Sequence, residues 1–425
     1  MTEKLTTLQK VEAGLARRHR KETLFKTTGM IATGIGVLFL AVFFATLLNK
    51  GSSAFQQSYL LLDIEFSEDV IAPGGQLDLE YADYDGIVRA ALRKELPEVS
   101  DRSERRQLYR LVSIGAAYQV QDAIAAQPEL LGQTRAIWVP ASADADMLIK
   151  GNIDAAVDEE LRTLSDQQIA WIERLNEAGR LDLKFNAALF SNGDSREPEL
   201  AGIKGAMMGS FFMLIVTIAL SFPIGVAAAI YLEEFAPRNR WSDLVEVNIN
   251  NLAAVPSIVF GLLGLAVFIN WMSLPRSAPL VGGLVLTLLT LPVIIIASRA
   301  SIKAVPPSIR EAALGLGASR MQVVFHHVLP LAMPGMLTGA IIGMSRALGE
   351  SAPLLMIGMI AFIVDVPGSF TDPSTALPVQ IYLWADSPER AFAERTSAAI
   401  IVLLAFLLLM NLTAVIIRRR MERKW

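Results

Sequence analysis

The chain has 425 residues, 53% of them apolar and only 19% charged, with a formal net charge of −4. Ordinary soluble domains carry about 25% charged residues, so this composition points to a membrane protein or an unusually large core. The lack of cysteine excludes a disulfide framework and thiolate chemistry, and three scattered histidines do not make a His-ligated metal centre. The slight acidity gives no electrostatic footprint for nucleic acid. No cofactor and no metal are expected on this chain.

A bilayer-spanning helix needs about 20 apolar residues. In chain order, charge-free stretches of that kind occur at 28–48, 205–232, 249–272, 280–298 and 397–417. A sixth, 336–364, is long enough but carries Arg346 and Glu350. The expected fold is therefore an α-helical integral membrane protein with six spans. Residues 1–27 form a basic N-terminus and 418–425 a basic tail. The first stretch is longer than the apolar region of a signal peptide, and Leu47-Leu48-Asn49-Lys50 is a poor cleavage context, so it reads as a retained anchor.

With the N-terminus inside, the segments 1–27, 233–248, 299–335 and 418–425 hold 7, 2, 4 and 5 Lys and Arg, whereas the outer loops 273–279 and 365–396 hold 1 and 2. Cytoplasmic loops retain basic residues, so both ends are expected in the cytoplasm. Residues 49–204 carry 16 Lys and Arg against 27 Asp and Glu, and long acidic loops cross membranes largely regardless of charge. A separate α+β domain is expected there, on the outer side, with strands over 59–66, 134–140 and 181–190 and helices over 83–96, 103–127 and 154–178. Ser100, Ser103 and Ser165 are candidate helix starts and Gly179 a candidate residue just past a helix end. Asp144 and Asp146 read as a hydrophilic turn, a cation site being the weaker alternative. Nothing in this domain pairs a nucleophile with a base.

Between spans four and five runs Pro306-Pro307-Ser308-Ile309-Arg310-Glu311-Ala312-Ala313-Leu314-Gly315-Leu316-Gly317-Ala318-Ser319, followed by Leu329-Pro330. Ser308 and Glu311 are spaced as a capping box, and Gly317 suits a helix exit at positive φ. Small residues at 312, 313, 315, 317 and 318 would leave one helix face bare. The chemistry alone fits a docking helix and a plain connector equally well.

Span five poses a similar choice. Arg346, about ten residues in, would lie roughly 15 Å deep, with Glu350 one turn on and able to pair with it. Charges at that depth cost on the order of 3 kcal/mol and commonly mark an ion path; the alternative is a private ion pair between helices. Gly349 would allow close helix approach. Pro353 and Pro223 would break spans five and two.

The Glu311-Ala312-Ala313 loop with Gly317 and Leu329-Pro330 resembles the signature cytoplasmic loop of importer-type ABC permeases, although His327 stands where an apolar residue is usual. Val255-Pro256-Ser257-Ile258-Val259-Phe260-Gly261, Arg346-Ala347-Leu348-Gly349-Glu350-Ser351-Ala352-Pro353-Leu354-Leu355 and Leu377-Pro378-Val379-Gln380-Ile381-Tyr382 resemble the phosphate importers. Together, from about residue 205 to the C-terminus, the chain is similar to the PstA-type phosphate permease family; the acidic insertion departs from its usual pattern. The resemblance implies a bacterial inner-membrane transport subunit, not itself an enzyme. It implies a second permease (PstC type), an ATPase dimer (PstB type) docked at Glu311, Ala312, Ala313, Gly317, Leu329 and Pro330, and a periplasmic phosphate-binding protein (PstS type). It also implies that Arg346 and Glu350 serve the passage of inorganic phosphate. No G-x-x-x-x-G-K-[ST] loop is present, so the energy must come from a partner. The alternatives are a permease for another oxyanion, sulfate or molybdate, and, less well supported, a transmembrane sensor.

Overall fold

A computed structural model describes residues 7–73 and 79–421. Residues 1–6 of the basic N-terminus and 422–425 of the tail lie outside the described residues.

The first helix, α1 (Thr7–Ser52), runs well beyond the expected span, and its apolar side chains, among them Ile31, Leu38 and Phe39, face outward. A single turn, Ser53–Phe55, leads straight into β1 (Gln56–Glu65) with no linker. β1 is the centre of a three-stranded antiparallel sheet of order β2-β1-β3, with β2 at Thr134–Pro140 and β3 at Leu181–Phe185. Tyr59 lies opposite Pro140 on one side and Asp182 on the other. Leu60, Leu62 and Ile64 alternate along β1 into the domain core, the period-two pattern of a strand with one buried face.

The helices of this domain are α2 (Glu68–Ile71), α3 (Tyr84–Glu95), α4 (Arg102–Tyr109), α5 (Gly115–Ala126), α6 (Ala143–Ile149) and α7 (Asp166–Glu177), and a short α8 (Ala188–Ser191) follows β3 with Leu189 packed at the junction with the rest of the chain. Several differ from the sequence expectation. The helix expected over 103–127 is two, because the chain turns at Val112, which bridges to Ala141, before restarting at Gly115. Asp101 rather than Ser100 or Ser103 caps α4, its carboxylate accepting the Ser103 N–H at 2.7 Å. The helix expected from 154 starts only at Asp166, where Ser165 and Gln168 form a capping box. Its far end matches: Gly179 takes φ +69°, and the N–H groups of Gly179 and Arg180 close back on Asn176 and Leu175. The third strand stops at Phe185 because Asn186 turns the chain, its amide donating to the Ala54 carbonyl at 3.0 Å. Asp144 and Asp146 are on α6, not in a solvated turn, and Asp146 is buried.

The rest of the chain is helical. It contains α9 (Lys204–Ile230, continued by a π-helical turn Tyr231–Phe235), α10 (Arg240–Ala253), α11 (Ser257–Gly264, continued by Leu265–Trp271) and α12 (Pro279–Lys303). There follow α13 (Pro307–Gly315), α14 (Arg320–Gln322), the π-helical turn Val323–Val328, α15 (Leu329–Gly349), α16 (Ala352–Met356), α17 (Leu377–Ala385) and α18 (Ala391–Met421). Among the described residues five helices are long and apolar enough to cross a membrane, and a sixth crossing exists only if α10 and α11 count as one.

Two expected spans are therefore corrected. The stretch 249–272 is not one helix: α10 and α11 meet at 101°, because the chain leaves the helical region at Pro256 (φ −57°, ψ +136°), next to which a continuous helix is disfavoured. The stretch 336–364 is not one either. Its helix starts earlier, continuous from Arg320, and ends at Gly349. A ring at Pro353 would strike the carbonyl four residues back in a continuous helix; instead Pro353 opens α16. Pro223 sits inside α9 without ending it. α12 is the most enclosed helix, flanked by α9 and α15 and lined by Val281, Val285, Leu286 and Leu289.

Candidate functional site

Two places carry chemistry: the α12–α15 connection and the end of α15. In the first, α13 begins at Pro307 with Pro306 in the capping position and no side-chain cap. Ser308 is therefore inside the helix and does not form the expected box with Glu311; proline's fixed φ at the first helical position starts the helix one step earlier. The capping box of this region is Ser319 with Gln322, ahead of α14. The exit matches expectation. Gly317 takes φ +84°, with its N–H bonded to the Leu314 carbonyl at 2.9 Å and that of Ala318 to Ala313 at 3.1 Å. That is a Schellman closure, which needs a residue free to adopt the left-handed region.

Ala313 points inward, onto Val226, Val305, Val323 and Val328. Glu311 and Ala312 are exposed. The outward face is more apolar than the small residues alone imply, since Leu314 and Met321 are about half exposed and Leu316 is 91% exposed. Leu329 and Pro330 are half-buried at the start of α15, and His327 is exposed, so it displaces no core contact.

Arg310 fixes α13 in place. Its guanidinium donates to Glu234 Oε1 at 2.8 and 3.1 Å and to the carbonyls of Val305 at 2.6 Å and Ile302 at 2.8 Å. Next to it, Arg299 bridges Glu233 at 2.5 Å and Glu246 at 2.7 Å. The π-helical turn at the end of α9 thus places two adjacent carboxylates against α12 and α13. Sequence reasoning missed this pairing; the available signal was Glu233-Glu234 ending an apolar span while the facing helix end carried Arg299, Lys303 and Arg310.

At the second place, Arg346 lies in the last turn of α15 rather than at mid-helix, and Glu350 caps that helix in an extended conformation. The two still meet, Nε to Oε1 at 3.5 Å, with side chains 45% and 20% exposed. This is a loose pair, leaving most of the guanidinium's donors free. Ile342, one turn before Arg346, is exposed on the same side. A neighbouring face of the helix is anchored: Ser345 donates to Asn411 of α18 at 2.7 Å.

Gly349 does not serve close helix approach, because a Cβ there would meet nothing within 4 Å. That role falls to Gly261, where a Cβ would sit 2.7 Å from Cα and 2.8 Å from the carbonyl oxygen of Pro353. Two of the segments singled out in the sequence, at 255–261 and 346–355, therefore pack on each other. The irregular chain after α16 is satisfied internally: Ser277 donates to the Gly358 carbonyl at 2.6 Å, Thr375 to that of Met359 at 3.1 Å, and Ser210 accepts the Leu377 N–H at 2.8 Å. Non-helical backbone inside a membrane protein requires such partners.

The chain belongs to the family described as binding-protein-dependent transport system inner membrane component, which matches residues 221–424. A domain of unknown function, DUF3333, matches residues 12–159. The phosphate transport system permease protein PstA 1 of Mycobacterium tuberculosis is 32% identical over 217 residues, covering 51% of this chain and 70% of that protein. PstA of Haemophilus influenzae is 29% identical over 224 residues, covering 53% and 78%. The "Probable ABC transporter permease protein YqgI" of Bacillus subtilis is 37% identical over 155 residues; the match spans only 36% of this chain and 52% of YqgI. Superposition on the inward-facing methionine ABC transporter MetNI gives a TM-score of 0.41 at 20% identity over 51% of this chain and 95% of that one, a likeness too slight to add to the assignment. The chain is thus an ABC importer permease subunit, and relatives of this kind are transport components rather than catalysts.

Proposed function

We propose that this subunit carries inorganic phosphate inward across the bacterial inner membrane, as a PstA-type permease driven by a separate ATPase. The observation that carries the reading is the Arg346–Glu350 pair on an open face of α15, in a chain whose relatives include phosphate permeases. A guanidinium contacts two oxygens of a tetrahedral oxyanion at once, and a position near a helix C-terminus favours the cation. Glu350 holds the guanidinium and limits how tightly the anion binds, since conduction requires release as well as entry.

The open face with Ile342 and Arg346 is where a second, PstC-type permease closes the path. The Glu311, Ala312, Ala313 and Gly317 helix, with Leu316 projecting and Leu329-Pro330 behind it, is the surface that a PstB-type ATPase dimer grips. Both termini lie in the cytoplasm, residues 49–204 in the periplasm, and a PstS-type binding protein delivers phosphate from that side. The bend at Pro256 and the break before Pro353 are where the spans flex, and Pro223 weakens α9 at a comparable point.

The test is ATP-driven uptake of labelled phosphate by vesicles holding the assembled transporter. Arg346→Gln should abolish uptake while leaving the complex assembled and ATP hydrolysis measurable; uptake at the normal rate would remove Arg346 from the path. Competition by excess sulfate or molybdate, rather than by phosphate alone, would move the assignment to another oxyanion.

A further inference from the structure

The α+β domain is not a tethered module. It joins α1 without a linker, and it is bound a second time, through α6, to the first turn of α18. The Lys150 ammonium lies 2.7 Å from Asp146 Oδ2 one turn earlier and 2.8 Å from Glu394 Oε1 on α18; the three side chains are 4%, 8% and 10% exposed. Asn152 donates to the other Glu394 oxygen at 3.1 Å, and the other oxygen of Asp146 accepts the Ser58 N–H of β1 at 2.7 Å. Both oxygens of Glu394 are therefore held by the domain.

Arg395, the next residue, is buried too and lies within electrostatic range of Asp146, Glu394 and Glu199. Asp146, Lys150, Glu394 and Arg395 sum to zero, and burial pushes the neighbouring Glu199 carboxyl up, toward its neutral form; removing any one of the four upsets a balance that buried charges require. Sliding the domain against α18 would do the same, so the two move together.

α18 then reaches the transport helix. Asn411 lies 17 residues after Glu394, about 26 Å along a helix, and accepts from Ser345, the neighbour of Arg346. A hydrogen-bonded, packed rod thus runs from the sheet of the domain to the end of α15.

We propose that the α+β domain is a rigid arm on α18, clamped at Glu394 by Lys150 and Asn152, and that its position sets the orientation of α15 at Arg346 through the Asn411–Ser345 bond. Lys150, Asn152 and Asn411 are positioning residues; none touches the transported anion. The proposal takes its meaning from the permease reading, but its test requires no transport.

The chain has no cysteine, so Ile342→Cys provides a single thiol one turn from Arg346. Its labelling rate by a water-soluble maleimide is measured on the full chain in membrane vesicles. Lys150→Met should change that rate by about threefold or more, the lower range of coupling within one bonded network. Asn411→Ala should change it likewise, and the two together should add nothing. Glu394→Gln, nearly isosteric, repeats the test should Lys150→Met fail to accumulate. Unchanged labelling in properly inserted Glu394→Gln and Lys150→Met chains, or fully additive effects, would overturn the proposal. Because labelling is read without substrate, an absence of phosphate uptake would sink the functional reading alone.

Discussion

The two halves of the molecule are held together differently. In the α+β domain one continuous cluster, from Leu60, Leu62 and Ile64 on β1 to Ile87, Leu92, Leu108 and Trp171 on the helices, forms a core of large apolar side chains. In the helical half many large side chains point outward, although Met213, Phe260, Leu286 and Leu289 are buried, and several helices meet where side chains are small: Gly283 against Val216, Gly225 against Ile294, Gly261 against Pro353. Thr217 adds a hydrogen bond across α9 and α12, to the Gly283 carbonyl at 3.2 Å. Where the surroundings are as apolar as the interior, burying a leucine gains little, and close backbone approach with internal hydrogen bonds carries the packing. Size matters on one side of the molecule and smallness on the other.

The largest effect is expected at a glycine whose space is free. Nothing lies within 4 Å of a Cβ on Gly317, so a side chain there would clash with nothing; the difficulty is its φ of +84°. Gly317→Val would cost on the order of 1–2 kcal/mol in backbone strain, more for a branched residue, and would open the closure on Leu314 and Ala313. That is small against the stability of the whole chain, so the protein should insert normally while uptake falls by about one order of magnitude, given roughly tenfold per 1.36 kcal/mol in the coupled step. Gly317→Asn, tolerant of the left-handed region, should retain most of the activity. Glu311→Lys should uncouple hydrolysis from uptake. A Gly317→Val transporter working at the normal rate would show that the shape of this connection does not matter.

Next comes the direct contrast between the halves. Leu62→Ala in the domain core should cost about 2–5 kcal/mol, as large-to-small core changes do. Gly261→Ala should cost about 1–3 kcal/mol, as overpacking does, because its Cβ would press on the Pro353 backbone rather than on a movable side chain. Gly349→Ala, with open space around it, should be near neutral. Thermal unfolding of the detergent-purified chain measures all three. Equal losses at 261 and 349 would mean that small residues are present for another reason than packing.

This contrast also explains what could be read from the sequence. β2 falls at the expected 134–140, and the Ser165 cap and Gly179 exit of α7 lie where their residue types place them, because caps and alternation are local effects in that domain. The ends of the spans were not legible, because apolar residues look alike whether they continue a helix, bend at Pro256 or return as the irregular chain after Glu350. The pairing of Arg346 with Glu350 survived, since the helix runs through Gly349 and so still brings the side chain of its capping residue back to the one four before it. Lys150 and Glu394, 244 residues apart, carry no sequence signal for their pairing, whereas Glu233 and Arg299, 66 apart, left only opposite charges at the ends of two apolar spans.

The smallest expected effect lies at the junction between the halves and concerns pH. Asp194 accepts from Trp384 Nε1 at 2.9 Å, yet burial outweighs that bond and holds its carboxyl above the usual aspartate range. A group whose pKa is raised on folding contributes stability that is complete below its unfolded value, near 3.9, and that is lost as pH rises through the folded value. Glu65, exposed on β1 and lowered by its bond to Lys94, has the opposite sign, its contribution being lost as pH falls; full exposure keeps it slight. Asp194→Asn retains an acceptor for Trp384 and removes the charge. Its unfolding temperature should therefore decline less than that of the unaltered chain as pH is raised from about 4, the unperturbed carboxyl value, to neutrality. An identical decline in both proteins would mean that the junction does not raise the Asp194 carboxyl, its polar contacts offsetting its burial.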